Sequence, residues 1–96
     1  MSQTPVIVYM TASSEDEAAS LANALVEKKM AACVSIVPGV QSIFYWDEKI
    51  CREDEILLIA KSRQDQVKNI AGVVRELHSY DVPEIIAVPI VEGSED

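Results

Sequence analysis

Between Met30 and Lys61 the chain carries two long runs of strand-forming residues placed back to back, too long for a straight compact sheet in a protein of 96 residues. Cys33, Val34, Ile36, Val37, Val40, Ile43, Phe44, Tyr45 and Trp46 make the first run, and Ile50, Ile56, Leu57, Leu58 and Ile59 the second. Such β-branched, aromatic and aliphatic side chains suit a pleated, half-buried surface. An arm of about 16 residues at roughly 3.3 Å each extends about 50 Å, whereas a domain of about 100 residues is only about 35 Å across. The hairpin therefore bends sharply or projects beyond its own domain. Pro38 and Gly39 mark the expected kink, because proline withholds a ladder donor and glycine tolerates a bulge. What projects is still apolar, which predicts that another copy of the chain covers it.

The length supports one domain, residues 1–96, and a domain this small buries only about 60 to 65% of its unfolded surface. Burial at a subunit interface would add to that. Apolar runs such as Ile56 to Ala60 are far short of the roughly 20 residues of a membrane helix, so no membrane partner is expected. The N-terminus lacks a basic region followed by a long apolar stretch, and the cytoplasm is the expected compartment. A net charge of −8 argues against nucleic acid, whose phosphates need clustered Lys and Arg; it attracts cations only diffusely and serves solubility. Cys33 and Cys51 match neither a CxxC pair nor a zinc spacing. With a turn at Asp47 and Glu48, Cys33 faces the region of Ser62 and Cys51 faces Phe44, too far apart for a disulfide. Both thiols are expected to be reduced, with Cys33 in the core.

Around the hairpin, Pro5 to Thr11 reads as a buried strand and a helix follows. Ser14 and Glu17 have capping-box spacing, and Glu15, Asp16 and Glu17 sit at the positive end of the helix dipole. Ala18, Leu21, Ala22, Leu25 and Val26 recur at helical spacing, with Lys28 and Lys29 at the negative end. A second helix is expected from near Ser62, with Ser62 and Asp65 as a capping pair and Val67, Ile70, Val74 and Leu77 as its core face. Gly72 weakens it or permits close packing on the sheet. Pro83 to Val91 is the last strand, at an edge because of Pro89. Strand, helix, strand, strand, helix, strand gives an α+β, ferredoxin-like βαββαβ fold with both helices on one face of an antiparallel sheet. A sheet apolar on its other face as well needs a second partner there, an independent sign of an oligomer.

Chemistry is sparse. Gly39, Gly72 and Gly93 are isolated, so there is no phosphate loop. The third strand offers Ile56 to Ala60 where an RNA-binding module would expose aromatics. No serine sits in a GxSxG context beside the single histidine, so no catalytic residue is assigned. His78 has two readings: a C-terminal cap or dipole partner, or a metal ligand, with Met10 as a nearby soft donor favouring Cu(I). Lys61, Tyr80 and Glu84, near the ends of strands three and four and joined by Trp46 from another subunit, form either a structural ion pair and hydrogen bond or an intersubunit cleft for an anion.

The runs MAACVSIVPGVQSIFYW, DEKI, EILLIAKS and HSYDVPEIIAVPI resemble the CutA family of divalent-cation tolerance proteins over roughly residues 5 to 91. The resemblance implies a ferredoxin-like subunit, a PII-like homotrimer built through the extended hairpins, high heat stability and a non-enzymatic role in the response to metal ions. It implies no obligatory cofactor, with copper or another divalent ion as the candidate ligand and an unidentified protein partner. The copper ligands proposed for the family fall on Met10, Leu77 and His78. Only His78 keeps its type, Met10 retains a soft sulfur, and Leu77 cannot bind metal. Ser79 stands where the family usually has proline, and the match ends ahead of an aromatic C-terminal segment and short helix found in many members. The alternative function is a PII-like signalling or small-ligand module that uses the cleft of Lys61, Tyr80, Glu84 and Trp46.

Overall fold

Strands β2 (Cys33–Trp46) and β3 (Lys49–Arg63) meet in a two-residue turn at Asp47 and Glu48, both with positive φ, 55° and 62°. That is the turn whose twist matches its flanking strands, and asparagine and glycine suit it best. From Trp46↔Lys49 to Val40↔Glu55 the pairing keeps the register expected from the turn, including Phe44 opposite Cys51. The register then shifts between Val37 and Val40, where Gly39 takes φ 81°, and Cys33 pairs with Lys61, one residue from the expected partner. Pro38 and Gly39 are thus the irregularity the sequence predicts. The hairpin projects as well: the molecule measures 44 × 26 × 22 Å with a radius of gyration of 14.0 Å, against about 12.5 Å for a compact chain of this length.

The computed structural model describes residues 4–78 and 84–94. The remaining elements are β1 (Pro5–Ala12), α1 (Glu15–Glu27), α2 (Val67–Leu77) and β4 (Ile85–Pro89), with a 3₁₀ turn at Gln64–Gln66 before α2. The sheet runs β2-β3-β1-β4, entirely antiparallel, as a ferredoxin-like fold requires. β4 is the expected edge strand and Pro89 ends it, although it is shorter than the run from Pro83 to Val91. No described helix is long and apolar enough to cross a membrane.

Alternation along β1 sends Val6, Val8, Met10 and Ala12 to the helices, where they meet Leu58 and Ala60 of β3, Ala18, Leu21 and Leu25 of α1, and Ile70 and Val74 of α2. The opposite face carries Ile7, Tyr9, Leu57, Ile59, Ile86 and Val88, and no described helix covers it. Cys33 lies on this face, opposite Lys61, and is exposed, contrary to the core position expected for it. The cause is parity: Val34 takes the helix-facing position, so its neighbour must point the other way.

Helix α1 begins as its sequence dictates, with Ser14 Oγ accepting from the Glu17 N–H at 3.1 Å. Its end was less predictable. The Met30 N–H bonds the Leu25 carbonyl at 2.9 Å and the Lys29 N–H bonds the Val26 carbonyl at 3.0 Å, a Schellman closure with Lys29 at φ 60°, a position usually given to glycine. Helix α2 starts at Val67 rather than near Ser62, because β1 holds Ser62 and Arg63 in the ladder. The Ser62 hydroxyl instead donates to the Met30 carbonyl at 2.5 Å. Leu77, expected on the core face of α2, is exposed. A Cβ at Gly72 would meet nothing within 4 Å, so this glycine serves no close approach.

Three substitutions should stabilise the chain. Lys29→Gly and Glu48→Gly relieve left-handed backbone and should each add about 0.5–1 kcal/mol, and Gly72→Ala should add about as much by helix propensity. Denaturant unfolding at fixed protein concentration measures this, and a lowered midpoint in any variant refutes the account of that position.

Candidate functional site

The C-terminal end of β1 is where the polar groups of the interior converge. His78 is the C-cap residue of α2, its backbone N–H bonding the Val74 carbonyl at 2.8 Å, while its ring leaves the helix. Its side chain is fully buried and Nε2 lies 2.6 Å from the Thr11 carbonyl oxygen. A carbonyl only accepts, so Nε2 carries the proton and donates. Glu17 Oε1 stands 3.9 Å from the same nitrogen and also accepts from the Ser13 N–H at 2.8 Å and the Ser13 hydroxyl at 3.1 Å. One histidine thereby ties the end of α2 to the end of β1 and the start of α1.

Thr11 links this corner to the uncovered face of the sheet. Its hydroxyl donates to Glu55 Oε2 at 3.4 Å, and the Ser42 hydroxyl donates to Glu55 Oε1. Glu55 is only 8% exposed, and a buried carboxylate needs such charge-assisted bonds to offset its desolvation. Glu55 and Ser42 line a concavity with Thr11, Phe44, Trp46 and Glu84.

Met10, one of the two residues considered for copper, is buried in the core at the same end of β1 as His78. An Nε2 that donates to Thr11 has no lone pair for a metal, so in this arrangement only Nδ1 could serve as a ligand. Among the described residues, no three or more His, Cys, Asp or Glu side chains are grouped so as to hold a metal ion. Of the four cleft residues, Trp46 and Glu84 share the Glu55 concavity, whereas Lys61 lines a different one. Strands β3 and β4 both run antiparallel to β1, so the end of one and the start of the other lie at opposite ends of the sheet. Lys61 stands opposite Ile7 and Glu84 precedes the partner of Met10, a displacement of about four residues or about 13 Å along β1. Tyr80 lies outside the described residues.

Sequence reasoning missed Glu55, Ser42 and Thr11, and read Glu17 only as a helix cap. Alternation was the available signal: continued from Ile59 and Leu57, it places Glu55 on the uncovered face, where an acid beside apolar neighbours invites a search for donors.

A family model described as CutA1 divalent ion tolerance protein matches residues 6–96. The chloroplastic protein CutA of Arabidopsis thaliana is 43% identical over 90 residues, which cover 94% of this chain and 50% of the plant protein. This chain thus spans half the length of that relative. The divalent-cation tolerance protein CutA of Thermus thermophilus is 42% identical over 94% of this chain and 87% of its own, and its solved structure superimposes with a TM-score of 0.92. The crystal structure of CutA1 from Oryza sativa gives a TM-score of 0.93 at 38% identity, covering 97% of this chain and 85% of that one. With the hairpin, the sheet order and nearly the whole sequence in agreement, the chain belongs to the CutA1 divalent ion tolerance family.

Proposed function

We propose that the chain acts as a non-enzymatic homotrimer in tolerance to divalent metal ions, in the cytoplasm, through weak metal contact or through a protein partner. The observation that carries the assembly is the sheet face opposite the helices. Tyr9, Ile86 and Val88 remain exposed there, and beyond the domain Tyr45, Trp46 and Ile50 are about 70% exposed on the hairpin arm. Apolar side chains left exposed on the uncovered sheet face and on both faces of the projecting arm of a small acidic protein make an association surface. Both sheet edges, β2 and β4, have no further strand paired to them among the described residues and offer ladder groups to a neighbouring copy. Two free cysteines suit a reducing compartment.

The role in metal tolerance rests on the family. Copper contact at Met10 and His78 would use the Nδ1 of His78 or require Nε2 to give up its bond to Thr11, and either route makes for weak binding. The alternative, a PII-like small-ligand module, is favoured by the concavity that already contains Trp46 and Glu84. Lys61 would reach such a cleft from a neighbouring copy.

Sedimentation should give the trimer mass at micromolar concentration, and Ile86→Asp should dissociate it by burying an unpaired charge. A stable wild-type monomer would sink the assembly. Calorimetric titration with Cu(I) and with Cu(II) should show weak binding that falls by about tenfold in His78→Ala, and equal affinities would remove His78 as a ligand.

A further inference from the structure

On the uncovered sheet face the register of β3 segregates the charges. Leu57 and Ile59 form the apolar middle, and alternation carries Glu53 and Glu55 to the same face on the arm side and Lys61 and Arg63 on the other side. Glu84 joins the acids: it stands two residues before Ile86, which pairs with Tyr9 on this face, and it lines the concavity of Glu53 and Glu55. Arg52 borders that concavity too, but its register position opposite Ile43 belongs to the other face of the arm. Lys49, at the tip, is a further cation that alternation gives to the face. Glu55 and Lys61 are six residues apart along β3, about 20 Å, so their charges do not meet within one copy. Of the cations at the base, Arg63 is engaged, its Nε 3.3 Å from Asp65 Oδ1, whereas Lys61 forms no ion pair among the described residues.

We propose that Lys61 of one copy enters the acidic concavity of the next, among Glu53, Glu55 and Glu84, and that this contact sets the direction in which copies join. It rests on the homotrimer reading and names the residue each copy lends its neighbour. The apolar middle of the face drives burial but carries no direction. Opposite charges at its two ends supply one. Laying the cationic end of one copy on the acidic end of another is favourable, whereas acid on acid adds repulsion to a chain of net charge −8. A contact between two different patches is heterologous and closes into a ring. Each copy then gives its Lys61 to one neighbour and receives a lysine from the other. The receiving end is also prepared for a cation. Glu55 accepts from the Thr11 and Ser42 hydroxyls, so this acid is fixed in place before association and less ordering is lost in the contact. Phe44 and Trp46, on the same face and lining the same concavity, give the lysine stem an apolar wall.

Sedimentation of the full chain over a dilution series tests the pairing, at low salt and in the urea concentration that brings wild-type dissociation into range. Lys61→Glu should raise the protein concentration of half-dissociation by about tenfold or more, and Glu84→Lys by about threefold or more, since each sets like charges in the contact. The double variant Lys61→Glu/Glu84→Lys exchanges the charges across every contact and should associate at least about fivefold more tightly than Lys61→Glu; independent changes would instead add. The two positions are about 13 Å apart along the sheet within one copy, so an internal pair does not account for such a recovery, and neither does misfolding of the single variant. Lys68→Glu makes the same change of net charge on α2 and should leave the wild-type value. Wild-type association in Lys61→Glu, an additive double variant, or an equal loss in Lys68→Glu would each overturn the pairing while leaving the homotrimer; a monomeric wild type would overturn both.

Discussion

The paired use of β3 from both sides is the constraint on which the rest of the structure depends. Leu57 to Lys61 pair with β1 along one edge and with β2 along the other, so this strand cannot slip without disturbing the whole sheet. Its side chains are spent on two faces. Leu58 and Ala60 close the core beneath the helices, while Leu57 and Ile59 turn an apolar surface the other way. A strand buried on one face needs only alternation; a continuous apolar run such as ILLIA is what a strand covered on both sides requires. Among the described residues, the helices cover one face of that strand only.

Much of the fold was legible because the determining signals are local. The turn at Asp47 and Glu48 follows from where the two runs meet, the kink from Pro38 and Gly39, the edge position of β4 from Pro89, and the start of α1 from Ser14 with Glu17. Errors arose where tertiary pairing overrode a local pattern. Ser62 and Asp65 have the spacing of a cap, yet β1 keeps Ser62 extended, and its hydroxyl finds a carbonyl 32 residues away. Cys33 has the composition of a core residue, but the one-residue shift at the bulge and the parity of β2 decide its side of the sheet.

The candidate site was less legible because its contacts are long-range. His78 was singled out for its rarity, and its ring bonds a carbonyl 67 residues away, which no spacing could reveal. Thr11 then connects that ring to Glu55, so the buried corner and the uncovered face share one strand residue.

Among the described residues, three non-glycine positions in left-handed backbone, Lys29, Asp47 and Glu48, are places where local preference and fold disagree. Disagreements of this kind mark positions where a side chain is kept for a reason other than backbone comfort. At the hairpin tip the reason is charge: Asp47 and Glu48 end an apolar arm with two carboxylates, which discourages indiscriminate edge pairing while leaving Tyr45 and Trp46 available. At Lys29 no such surface need exists, since α1 closes the same way with glycine. A cation there stands at the negative end of the α1 dipole, which offsets part of the cost of its backbone.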